Sequence, residues 1–112
     1  MKGRGAQAED QALEFLGAQG LKLKERNFRC RLGEIDLIMG DGSTLVFVEV
    51  RARASNAFGG ACDSITARKR DKLLAAARFY MTRSGRFPAC RFDAVLIGPG
   101  GKIEWLRDAF GE

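Results

Sequence analysis

A chain of 112 residues has room for one domain with a core and none for a separate substrate domain. Hydrophobic residues make up 46% and charged residues 29%, a globular composition. A net charge of +5 without a single histidine excludes Ser-His-Asp and Cys-His catalysis and zinc sites that need histidine, leaving hydrolysis to carboxylates, cationic side chains, water and a metal.

The first element reads as a helix from about Ala6 to Ala18, with Ala8, Ala12, Phe15 and Leu16 as its apolar stripe. Gln19-Gly20 marks its stop. Glu9 is spaced with Leu13 and Leu16, so it lies on or beside that stripe. Three strands follow, Leu21 to Arg29, Glu34 to Met39 and Leu45 to Arg53. Asp41-Gly42-Ser43 carries hairpin signals between the second and third. Leu45 to Val50 is apolar on both faces, which predicts a strand inside a sheet covered on both sides. Ala54 to Ile65 reads as a loop. A helix from about Thr66 to Arg83 follows, burying Leu73, Leu74, Ala77, Tyr80 and Met81. Phe92 to Ile97 is a short apolar strand that contains Asp93, whose expected role is a hydrogen-bonded acid near a sheet end. After the turn Gly98-Pro99-Gly100-Gly101, Lys102 to Leu106 reads as a last strand. The order predicts an α/β domain spanning residues 1–112, with helices packed on a central mixed sheet.

Cys30, Cys62 and Cys90 are scattered and odd in number, which favours a reduced, cytoplasmic setting over a disulfide framework. No apolar run approaches the roughly 20 residues a membrane helix needs, so no membrane partner is expected. Charge is uneven. Residues 51 to 91 hold ten Lys and Arg against two Asp and Glu, whereas the flanking segments are slightly acidic. Such a block, with Arg53, Arg68, Lys69, Arg70 and Lys72, suits a polyanion such as DNA.

Glu49 is the informative residue, because an unpaired charge inside a two-sided apolar strand costs several kcal/mol. With a Gly42-Ser43 loop, Asp36 stands directly opposite Glu49, where Cβ atoms are about 4.5–5.5 Å apart. With an Asp41-Gly42 loop the two are diagonal neighbours on one face. Either register brings the carboxylates together. Their repulsion, roughly 3 kcal/mol at an effective dielectric near 20, is relieved by a proton or by a hard divalent cation. Arg51 shares the Glu49 face and offers a third outcome, a structural ion pair. Glu9 adds an acid if the first helix packs its stripe onto this face. Glu34 is expected at the rim.

The runs Gly33-Glu34-Ile35-Asp36-Leu37-Ile38 and Leu45-Val46-Phe47-Val48-Glu49-Val50-Arg51-Ala52-Arg53 resemble the YraN-type uncharacterised bacterial proteins. Weaker matching pieces are Glu9-x-x-Ala12-x-x-Phe15-Leu16, Arg26-Asn27-Phe28-Arg29, Phe58-Gly59, Lys69, Arg91-Phe92-Asp93 and Ala109-Phe110. That family is similar in pattern to the PD-(D/E)XK endonucleases, including archaeal Holliday-junction resolvases. The resemblance implies a restriction-endonuclease-like fold and a DNA endonuclease acting on branched or damaged DNA with Mg²⁺ or Mn²⁺. It implies no small-molecule cofactor, and a homodimer. It makes Glu9, Asp36 and Glu49 metal ligands and Asp36, Glu49 and Arg51 the catalytic set. The chain departs from the motif at Arg51, where the superfamily has lysine. Arginine stays charged and cannot act as a general base. A catalytically silent nuclease fold that binds nucleic acid or a protein partner is therefore the second expectation.

Overall fold

The computed structural model describes residues 4–52 and 66–110. The expected loop Ala54 to Ile65, and Arg53, lie outside these residues.

Helix α1 spans Arg4–Ala18 and buries Ala8, Ala12 and Leu16. Gly20 ends it at φ +98°, which lets the Leu21 N–H donate back to the Leu16 carbonyl at 3.1 Å. Strands β1 (Lys22–Cys30), β2 (Gly33–Asp41) and β3 (Thr44–Ala52) form an antiparallel meander. The β2–β3 hairpin takes the Gly42-Ser43 loop, with Asp41 paired to Thr44 and Leu37 to Val48. Gly42 supplies the positive φ of +61° that this tight turn uses.

Helix α2 (Ala67–Ser84) crosses from β3 to β4 (Cys90–Ile97), which runs parallel to β3. Thr66 caps its start, accepting from the Lys69 N–H, and left-handed Gly85 closes its end. β5 (Ile103–Phe110) pairs antiparallel with β4 and completes a five-stranded sheet in sequential order. The molecule thus has the α/β architecture expected, a mixed sheet with a helix on each face, as in a restriction-endonuclease-like fold. No helix among the described residues is long and apolar enough to cross a membrane.

β3 serves both faces, as its sequence predicts. Val46, Val48 and Val50 join Leu37, Met39, Val95 and the α1 stripe in one core cluster. Leu45 and Phe47 join Phe28, Ile38, Phe92 and the α2 residues Leu73, Ala76 and Ala77 in the other. By this alternation Glu49 belongs to the α2 side, and Asp36, one residue past the last β2–β3 pair, meets it there.

The last strand runs four residues past the expected Leu106, and Asp93 explains why. Asp93 is fully buried and takes the Trp105 Nε1–H at 3.0 Å and the Asp108 N–H at 2.9 Å, across a register shift in the β4–β5 ladder. Arg91 Nε donates to both of its oxygens, at 3.0 and 3.2 Å, while Arg91 Nη1 reaches Asp41 at 3.0 Å. The expected structural role of Asp93 holds, and its satisfied hydrogen bonds account for a buried acid.

Candidate active site

Asp36 and Glu49 meet where the β2–β3 ladder ends. The last backbone pair is Leu37 with Val48, and beyond it the Val50 N–H donates to Asp36 Oδ2 at 2.9 Å. The Asp36 side chain thus substitutes for a main-chain acceptor as the two strands part. Burial first, and the neighbouring Glu49 charge second, push the Asp36 carboxyl up to about 7. The Val50 hydrogen bond and the Lys69 charge pull it the other way.

Glu49 is 3% exposed and does carry compensating charge, from two residues rather than one. The expected Arg51 contact is present, with Nε 3.2 Å from Glu49 Oε2. That Nε is buried and makes no hydrogen bond among the described residues, so the contact is a charge pair off hydrogen-bond geometry. The stronger partner is Lys69, whose Nζ lies 2.9 Å from the same oxygen. Sequence spacing assigned Lys69 only to nucleic-acid contact. Its place at Glu49 follows from the docking of α2 on the sheet.

Glu9 is not brought to this pair. α1 covers the opposite face, because its stripe packs against the even-numbered β3 residues. Glu9 instead meets Arg26, 3.5 Å from Nε, and Asp10 meets the same guanidinium at 2.7 Å. Both faces of β3 are apolar, so the strand alone did not say which helix would sit beside Glu49. Among the described residues no three or more His, Cys, Asp or Glu side chains gather to hold an ion. Glu34 lies at the rim as expected, exposed and paired with Arg29.

Lys69 also forms part of the wall of a cleft of about 760 Å³. Its other cationic walls among the described residues are Arg29, Arg31, Arg68 and Lys72, against the single described acid Glu34. Arg29 and Arg31 come from the β1 end of the first hairpin, outside the basic block of the sequence. Gly33 lets the hairpin close on α2, since a Cβ there would stand 2.8 Å from the Lys72 carbonyl oxygen. Arg70 does not line the cleft.

Residues 8–97 match the model of an uncharacterised protein family, UPF0102. A UPF0102 protein of Nitrosomonas eutropha is 55% identical over 99% of this chain and 96% of its own length. One from Nitrosomonas europaea is 54% identical over 97% of this chain and 94% of the relative. One from Ralstonia nicotianae is 53% identical over 96% and 85% respectively. The chain belongs to the uncharacterised protein family UPF0102, the YraN family.

Proposed function

We propose that this protein is a metal-dependent DNA endonuclease whose active site is the Asp36–Glu49 carboxylate pair. One observation carries the reading. Two adjacent half-buried or buried carboxylates sit at the parting of two strands, with the Lys69 ammonium 2.9 Å from one of them and lining a cationic cleft. The resemblance to PD-(D/E)XK enzymes supports it.

Two carboxylates without a third acid suit Mg²⁺ or Mn²⁺, which protein sites commonly hold by one or two carboxylates, completing the shell with water and substrate phosphate. The upward push on Asp36 fits as well, because a divalent cation relieves the repulsion that raises it. Asp36 and Glu49 would hold the ion. When bound, such an ion polarises a phosphoryl oxygen and lowers the pKa of a coordinated water.

The protein's own groups divide the remaining work. The Val50 N–H holds the Asp36 carboxyl through Oδ2 and so keeps it beside Glu49. Lys69 stabilises charge that develops on the scissile phosphate, which offsets the absence of lysine at position 51. Arg51 contributes a fixed positive charge and no proton transfer. Arg31, Arg68 and Lys72 hold the backbone without reading sequence.

The reading is tested by incubating the protein with linear, nicked and four-way-junction DNA and Mg²⁺ or Mn²⁺. Cleavage lost in Asp36→Asn and Glu49→Gln supports it. DNA binding without cleavage of any substrate supports the non-catalytic module, which the Arg51 departure and the cation-paired Glu49 favour.

A further inference from the structure

We infer that Lys69 and Arg51 act as a lock on the Glu49 carboxylate, released by nucleic-acid phosphate, so that the metal site forms fully only with nucleic acid in the cleft. The inference rests on the proposed metal site and adds its order of assembly. Both cations converge on one oxygen, Glu49 Oε2, at 2.9 and 3.2 Å. Without nucleic acid, the two carboxyl groups therefore face two positive side chains, which leaves the cluster no net negative charge. A divalent cation approaching it meets like charge at the oxygen it needs.

Among the described residues the two cations are held chiefly through Glu49. Arg51 Nε has no hydrogen-bond partner among the described residues. The side chains are 32% exposed for Arg51 and 36% for Lys69, against 4% for Glu49. Lys69 ends a flexible four-carbon stem and already forms part of the cleft wall with Arg29, Arg31, Arg68 and Lys72. A phosphate entering that cleft gives the ammonium a new anionic partner. Its departure uncovers Glu49 Oε2 beside Asp36. Linkage then requires the converse, so that the metal tightens nucleic-acid binding by the same factor.

The test is Mn²⁺ titration calorimetry on the whole chain, alone and with a short DNA duplex of phosphorothioate linkages that resists cleavage. DNA alone and the Glu49→Gln chain with DNA serve as blanks. The lock predicts Mn²⁺ affinity at least tenfold higher with DNA, and an equal gain in DNA affinity with Mn²⁺. Lys69→Met should raise Mn²⁺ affinity without DNA several-fold and shrink the coupling, with its thermal melt recording an intact fold. Equal Mn²⁺ affinity with and without DNA overturns the lock while leaving the metal site standing. Unchanged Mn²⁺ affinity in folded Lys69→Met overturns it as well. Absence of Mn²⁺ binding in every condition overturns the metal reading and the lock together.

Discussion

The Lys69 ammonium of α2 lies 2.9 Å from the Glu49 carboxylate of β3. This contact joins the crossover helix to the centre of the sheet and places a lysine beside the acid pair from outside the strand. If Lys69 serves the scissile phosphate, Lys69→Met lowers the single-turnover cleavage rate by about 10²-fold, the scale of losing one charge-stabilising donor. Lys69→Arg restores charge and retains most DNA affinity. A rate unchanged in Lys69→Met assigns the contact to structure alone.

Asp36 carries the pH dependence. Its folded value, about 7, lies above its ordinary value of 3.8, so the folded state binds this proton more tightly than the unfolded chain. Stability from this group is full below about pH 4 and declines as pH rises through about 7. Asp36→Asn keeps an acceptor for the Val50 N–H and removes the titration. In chelator, urea unfolding at pH 8 should show Asp36→Asn more stable than wild type by about 1–3 kcal/mol, with the gap closing toward pH 4. An equal gap at both pH values refutes this assignment.

Asp93→Ala leaves the Arg91 guanidinium, whose side chain is 15% exposed, without its main counter-charge, and strips Trp105 and Asp108 of an acceptor. The expected loss is about 3–5 kcal/mol in chemical unfolding. Because Asp93 lies on the α1 side of the sheet, any folded Asp93→Ala fraction retains Mn²⁺ binding. A loss below about 1 kcal/mol contradicts the role of this network in holding β5.

Gly33→Ala drives a methyl into the Lys72 backbone, and the expected cost is about 1–3 kcal/mol. The hairpin and α2 must then separate, which widens the cleft between Arg31 and Lys72. Weaker DNA binding with a reduced salt slope is expected. Wild-type affinity and stability in this variant place the hairpin's contact outside the binding surface.

The acid pair was legible because its determinants are local. The two-residue Gly42-Ser43 turn fixes the register, and two-face burial of Leu45 to Val50 marks Glu49 as anomalous. The position of Glu9 was not legible. An apolar strand gives no sign of which helix takes which face, and only the tertiary packing puts α1 opposite Glu49. Lys69 was legible as a charge and not as a partner, since its reach depends on how the crossover helix docks. The end of β5 escaped for a different reason. Asp108 sits at φ +54° with its N–H donated to the distant Asp93 carboxylate, and nothing local to it signals a continuing strand.

The most direct test of the Asp36–Glu49 account is single-turnover cleavage of a four-way-junction and a nicked duplex, with Mn²⁺, at equal occupancy of wild type and Glu49→Gln. Glutamine keeps the shape and removes the charge that would hold the ion. A metal held by Asp36 and Glu49 predicts metal-dependent cleavage by wild type and at least a 10²-fold slower rate in Glu49→Gln, with DNA still bound. Equal rates in the two proteins, or no cleavage by wild type at saturating DNA and metal, would contradict it.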